Sequence, residues 1–254
     1  MTENVTITRE NGVATITIDR PDSLNALNVN TLEALDHVLD ETDDARTLVL
    51  TGAGEDAFVA GADIEYMKTL SVEEAMAYAE LGHRICDRLA THSAPVIAAV
   101  NGYAFGGGCE LALACDLRVA SENAVLGQTE IDLGIVPGWG GTQRLSRLVG
   151  DAAARRMVFL GERLDAESAA EIGLVGEVVP QAELDSVVEE MAAQLAAKPR
   201  FALAAAKEAL NQVHEGPQSS GLEYEKRLWS GLFGTDDQRE GMAAFVEKRD
   251  PEFE

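Results

Sequence analysis

Three glycines and two glutamates are the residues of this chain best suited to chemistry. Gly106-Gly107-Gly108 follow the apolar run 95–100 and precede Cys109-Glu110-Leu111-Ala112, the pattern of a strand, a tight turn and the start of a helix. Glycine lets the backbone adopt conformations closed to other residues and lets a ligand approach closely. The first N–H groups of a helix have no intrahelical partner, so they are free to stabilise negative charge developing on an oxygen. Glu110 falls in the first helical turn, where the dipole alone favours a carboxylate. Glu130, in Gly127-Gln128-Thr129-Glu130 after the short apolar segment 124–126, supplies a second carboxylate. Together the two offer a general acid and a general base. Their spacing leaves open whether they meet.

The elements that must position these residues alternate between strand and helix. Val5-Thr6-Ile7 and residues 14–18 read as strands joined at Asn11-Gly12, a hairpin signal. Leu32, Leu35, Val38 and Leu39 recur at helical spacing, residues 47–50 read as a strand, and 72–90 as a long helix. Leu184, Val187, Val188, Met191 and Leu195 form one face of a helix bounded by Pro199. This predicts an α/β fold, and the alternation alone fits a doubly wound sheet equally well.

The chain has 254 residues, 46% of them hydrophobic, enough for one large core. Its start lacks the basic and apolar regions of a signal peptide, and no segment holds 18 uninterrupted apolar residues. A soluble, cytoplasmic protein with no membrane partner is expected. Forty-four acidic residues face 20 basic ones, for a net charge of −24; only Lys68, Lys198, Lys207, Lys226 and Lys248 are lysine. So acidic and lysine-poor a surface suggests adaptation to high salt, where screening relieves self-repulsion. The same charge argues against a nucleic-acid partner. His37, His83, His92 and His214 are scattered, and Cys109 and Cys115 lack zinc-site spacing, so no metal is expected. Cys86, Cys109 and Cys115 read as free thiols of a reducing compartment.

Several motifs in fixed order resemble the crotonase, or enoyl-CoA hydratase, superfamily over essentially the whole chain. They are Arg20-Pro21, Leu24-Asn25-Ala26-Leu27, Phe58-Val59-Ala60-Gly61-Ala62-Asp63-Ile64, Asn101-Gly102, and Gly106 to Glu110. Gln128-Thr129-Glu130, the stretch 137–144 (Pro-Gly-Trp-Gly-Gly-Thr-Gln-Arg) and the stretch 239–245 complete the set. The resemblance implies a superhelix of ββα units over residues 1–195, followed by a helical C-terminal oligomerisation region, 196–254, in a homotrimer or homohexamer. It also implies an acyl-CoA substrate whose thioester oxygen is held by the N–H groups of Ala62 and Gly107. Glu110 and Glu130 fall on the catalytic glutamates of hydratases, so hydration of a trans-2-enoyl-CoA is the implied reaction, in fatty-acid or branched amino-acid breakdown. In this reading Glu110 is the base toward water and Glu130 the proton donor. No cofactor is implied; coenzyme A is part of the substrate.

The resemblance also puts Ala26, Ala60, Asp63, Ile64, Met67, Gly138, Trp139, Phe245 and Lys248 among the substrate contacts. Bland roles remain open: Asp63 as a helix-start carboxylate, Met67 as core filler, Trp139 as packing, Phe245 and Lys248 as a helix-face pair. Relatives often carry basic residues near the Leu-Asn-Ala-Leu and Gly-Ala-Asp-Ile segments, where this chain has Asp22 and Glu65. Each departure removes a phosphate partner. Other crotonase activities (isomerase, acyl-CoA hydrolase, decarboxylase) are alternatives that the presence of both glutamates disfavours. A nucleic-acid-binding homologue is disfavoured by charge, and a serine hydrolase by the absence of a G-x-S-x-G elbow.

Overall fold

Asn11 and Gly12 both take positive φ, 50° and 82°, and turn strand β1 (Val5–Glu10) back onto β2 (Val13–Ile18). This is the two-residue hairpin that the strand twist favours. The computed structural model describes residues 4–253, without the side chain of His214, so the expectation for that histidine and part of the signal-peptide reading lie outside the described residues. The chain continues through α1 (Val29–Leu39), β3 (Thr47–Gly52), β4 (Ala57–Val59), the single turn α2 (Ile64–Met67) and the long α3 (Val72–Thr91). Next come β5 (Val96–Val100), β6 (Tyr103–Phe105), α4 (Gly107–Ala114), β7 (Leu117–Ser121) and β8 (Val125–Gly127). α5 (Gly141–Val149), α6 (Asp151–Leu160), β9 (Arg163–Asp165), α7 (Ala166–Glu171) and β10 (Glu177–Val179) follow. The C-terminal helices are α8 (Leu184–Ala196), α9 (Arg200–Asn211), α10 (Gln218–Leu232) and α11 (Asp236–Glu247).

The strands form two sheets, β1-β2-β3-β5-β7-β10 and β4-β6-β8-β9. The first is parallel beyond its hairpin and the second is parallel except for β8–β9. Successive turns of the chain lay one strand in each sheet, β3 then β4, β5 then β6, β7 then β8, and then a helix. This is a spiral of ββα units and not a doubly wound sheet. All of β5 is buried, because both faces of its sheet are covered. Leu50 and Ala98 face a core shared with α1, α3 and α4, while Val49, Ile97 and Val119 pack under Leu184 and Val188 of α8. Such strands show continuous apolar runs instead of alternation.

The structure corrects the sequence reading at one point. The run ending at Val100 does not feed the glycines directly, since β6 of the second sheet intervenes. The step is made at Asn101-Gly102. The Asn101 amide donates to Gly52 O at 2.9 Å and Gly54 O at 2.8 Å, and a Cβ on Gly102 would overlap the Asp56 carbonyl. The chain is thereby pinned to the β3–β4 loop and redirected. Buried Lys207 of α9 donates to Asp116 Oδ2 at 2.7 Å, Leu89 O at 3.1 Å and Ala94 O at 3.3 Å. No helix among the described residues is long and apolar enough to cross a membrane.

Candidate active site

Two residues with open backbone N–H groups, Ala62 and Gly107, line one cavity from different sheet-to-helix turns. Leu27 and Ala62 form an isolated parallel bridge, in which Leu27 N–H donates to Gly61 O at 2.9 Å and Asp63 N–H to Leu27 O at 2.8 Å. In a parallel bridge the middle residue of the partner segment turns its own N–H away from the pair; that residue is Ala62. Gly107 is the first residue of α4, so its N–H is an open helix-terminal donor. Both residues line a cavity of about 370 Å³. The glycines serve separate purposes: Gly106 turns the chain at φ +50°, Gly107 leaves room for Trp139, and a Cβ on Gly108 would overlap the Val59 carbonyl.

The two glutamates line the same cavity, and both are buried. Glu110 Oε1 accepts the N–H of Trp139 and of Gly141, each at 2.7 Å. These donors belong to the loop entering α5 and to the first residue of that helix, so the glutamate ties α4 to the start of α5. Burial pushes its carboxyl above the usual range, against the two N–H groups that favour the ionised form. Glu130 is pushed up to about 7, first by burial and then by the nearby charge of Glu110. With its amide nitrogen turned to the carboxylate, buried Gln128 donates to Glu130 Oε1 at 3.0 Å and Oε2 at 3.1 Å. One carboxyl braced by two backbone donors, beside another whose proton is held more tightly by burial and a neighbouring charge, suits a base and an acid.

The remaining wall is apolar. The Trp139 indole packs edge-on against Tyr78, ring centroids 5.4 Å apart, and the Tyr78 hydroxyl donates to Leu27 O at 2.7 Å. A Cβ at either Gly82 or Gly107 would overlap the indole. Gly82 sits within α3, where glycine costs about 1 kcal/mol relative to alanine, and its backbone is not at positive φ. The space it leaves is what the indole occupies.

Of the residues expected from the sequence, Ala60, Ala62, Ile64, Met67, Gly107, Glu110, Glu130, Gly138 and Trp139 all line this cavity. Ala26, Asp63, Phe245 and Lys248 do not. Asp63 caps α2 by accepting the Tyr66 N–H at 3.3 Å and pairs with Arg20 at 3.5 Å, and the Ala26 carbonyl accepts from the Arg20 guanidinium. Phe245 is 85% exposed, and Lys248 ends α11 in the left-handed conformation. Sequence reasoning missed Gln128, Tyr78 and Gly82. The glycine interrupting a helical pattern was the available signal for Gly82; nothing local marked Tyr78. Among the described residues no group of three or more His, Cys, Asp or Glu could hold a metal ion.

A spiral of two-sheet turns, with Ala62, Gly107 and two buried glutamates lining one cavity, defines an enzyme of the crotonase fold. The chain belongs to the enoyl-CoA hydratase/isomerase family, whose model matches residues 8–254. It is 44% identical to a short-chain-enoyl-CoA hydratase of Clostridium acetobutylicum over 97% of this chain and 95% of that protein. It is 42% identical to a crotonyl-CoA hydratase of Syntrophomonas wolfei over 99% and 98%. The crystal structure of an enoyl-CoA hydratase from Bacillus anthracis superposes with a TM-score of 0.95 at 38% identity, covering 99% of each chain.

Proposed function

We infer that this chain is an enoyl-CoA hydratase, adding water to a trans-2-enoyl-CoA to give the 3-hydroxyacyl-CoA and catalysing the reverse. The observation that carries the reading is the pair of buried glutamates lining one cavity with Ala62 and Gly107. In the proposed sequence those N–H groups receive the thioester oxygen, which makes the β-carbon electrophilic. Glu110 takes a proton from water as the water oxygen bonds to the β-carbon, and charge accumulates on the enolate-like oxygen between the two donors. Glu130 then delivers its proton to the α-carbon, the enolate collapses to the thioester, and proton return from Glu110 resets the pair. Water and two carboxyls balance these steps, which call for no cofactor.

The pH dependence follows from the assigned roles. Glu130 must be protonated and sits near 7, so kcat/KM falls as pH rises through that region. Glu110 must be ionised and lies above the ordinary carboxylate value, so activity also falls on the acid side. The limbs belong to the coupled pair, and a bell whose alkaline limb falls near 7 is expected. A profile flat from about pH 6 to 9 contradicts the assignment.

The direct test is loss of enoyl absorbance with crotonyl-CoA. Run from about 0.1 to 1 M KCl, where the screening length shrinks from about 10 to 3 Å, it also probes the acidic surface. The net charge of −24 and the exposed Glu65 and Asp22 repel an anionic CoA, so KM should fall as salt rises. A KM that rises with salt removes the halophilic reading. Silence at every salt with folded protein removes the hydratase one.

The same acidic balance and the buried thiols of Cys86, Cys109 and Cys115 support a salt-rich, reducing cytoplasm. Trp229, Phe245 and Val246 are exposed on α10 and α11. They support a 196–254 region that joins copies into a homotrimer or a pair of trimers, with Phe245 and Lys248 reaching a neighbour's CoA. A short acyl substrate agrees with the names of the two bacterial relatives.

A further inference from the structure

We propose that Trp139 is the acyl-length gauge of this site, its indole closing the inner end of the cavity so that short trans-2-enoyl-CoAs fit and long ones do not. The inference rests on the hydratase reading and goes beyond it by naming the residue that selects the substrate. A Cβ at Gly107 would overlap the six-membered edge of the indole, and a Cβ at Gly82 its pyrrole edge. The ring therefore fills the gap between α4 and α3. Gly107 is also the residue whose N–H is assigned to the thioester oxygen, so an acyl chain extending inward meets the ring within a few carbons of the reacting bond.

The ring has nowhere to retreat. It is 4% exposed, Tyr78 abuts it and is itself anchored to Leu27 O, and Glu110 accepts its backbone N–H. One residue thus bounds the acyl pocket with its side chain and braces the proposed base with its main chain. Changing the side chain opens the pocket and leaves the brace in place. The competing route for a tail is outward past Leu133 and Val136, which line the same cavity and are exposed.

An unobstructed apolar pocket gains about fourfold in affinity per buried methylene, so an ungauged enzyme would improve from crotonyl-CoA to 2-hexenoyl-CoA and 2-decenoyl-CoA. The gauge predicts a fall in kcat/KM along that series. It further predicts that Trp139→Ala raises the 2-decenoyl to crotonyl ratio by about tenfold or more. Trp139→Leu, which keeps more of the packing, should move the ratio the same way should the alanine variant fail to fold. Gly82→Ala, whose Cβ would overlap the pyrrole edge of the indole, should also shift the ratio of 2-hexenoyl-CoA to crotonyl-CoA turnover. A flat or rising wild-type series, or a ratio unmoved by the substitutions at Trp139, overturns the gauge. Calorimetric binding of butyryl-CoA and decanoyl-CoA to wild type and the Trp139 variants separates the two claims. Length discrimination that Trp139 controls, without turnover of any enoyl-CoA, defeats the hydratase reading alone; turnover without discrimination defeats the gauge alone.

Discussion

Glu130→Gln should lower kcat for crotonyl-CoA by about 10²–10⁴-fold, the usual worth of a positioned acid or base, and Glu110→Gln should do the same. What separates the two positions is the cost of going further. The Trp139 and Gly141 N–H groups both rest on Glu110 Oε1 at 2.7 Å, and a glutamine can present its carbonyl oxygen to both. Alanine cannot. Each buried N–H left unpaired costs about 1–3 kcal/mol, so Glu110→Ala should lose stability as well as turnover, while Glu110→Gln loses mainly turnover. The glutamine variant also changes its neighbour. Removing a like charge lowers the Glu130 carboxyl from about 7, so the alkaline limb of the residual activity shifts to lower pH. Steady-state kinetics across pH and thermal unfolding of the three variants check these outcomes. Near wild-type kcat in either glutamine variant would remove that glutamate from the mechanism.

How much of this was legible in the sequence differs with the range of the interaction. The hairpin at Asn11-Gly12, the helix of Leu184 to Leu195 and the start of α4 at the glycine run rest on local rules, a turn conformation, an apolar period and a helix terminus. The structure has all three. The motif order reached further and marked Ala62 and Gly107, which line one cavity because β4 and β6, far apart in sequence, are adjacent in the second sheet. Strand β6 was missed because its three residues carry no strong pattern; it is set by pairing with β4 and β8, after Asn101 has bonded to the end of β3 and the loop beyond it. Tyr78 was unremarkable within a helix and Gly82 only an interruption of one; the meaning of both depends on an indole 57 residues beyond Gly82, at Trp139. Gln128 was quoted with its motif, but its service to Glu130 is a matter of side-chain direction, which sequence does not carry.

Gly108→Ala should be among the most damaging substitutions that touch neither glutamate. Alanine is better than glycine in a helix by about 1 kcal/mol, and Gly108 is not at positive φ, so local propensity predicts a gain. Packing predicts the reverse. The new Cβ would overlap the Val59 carbonyl oxygen and lie 2.8 Å from the Val59 carbonyl carbon, and the obstacle is the backbone of β4, which no rotamer change can clear. Overpacking of this kind costs about 1–3 kcal/mol or more and outweighs the helical gain. The strain also falls on the geometry that matters. Val59 leads through Ala60 and Gly61 to the Ala62 N–H, and Gly108 follows the Gly107 N–H, so pushing α4 off β4 spreads the two donors assigned to the thioester oxygen. Losing one such donor costs about 10²–10³-fold in kcat. The variant should unfold several degrees lower, at about 2–4 °C per kcal/mol for a chain of this size, and turn over crotonyl-CoA at least about tenfold more slowly. A variant as stable and as active as wild type would mean that α4 and β4 separate freely, and that the alignment of the two N–H groups does not depend on this contact.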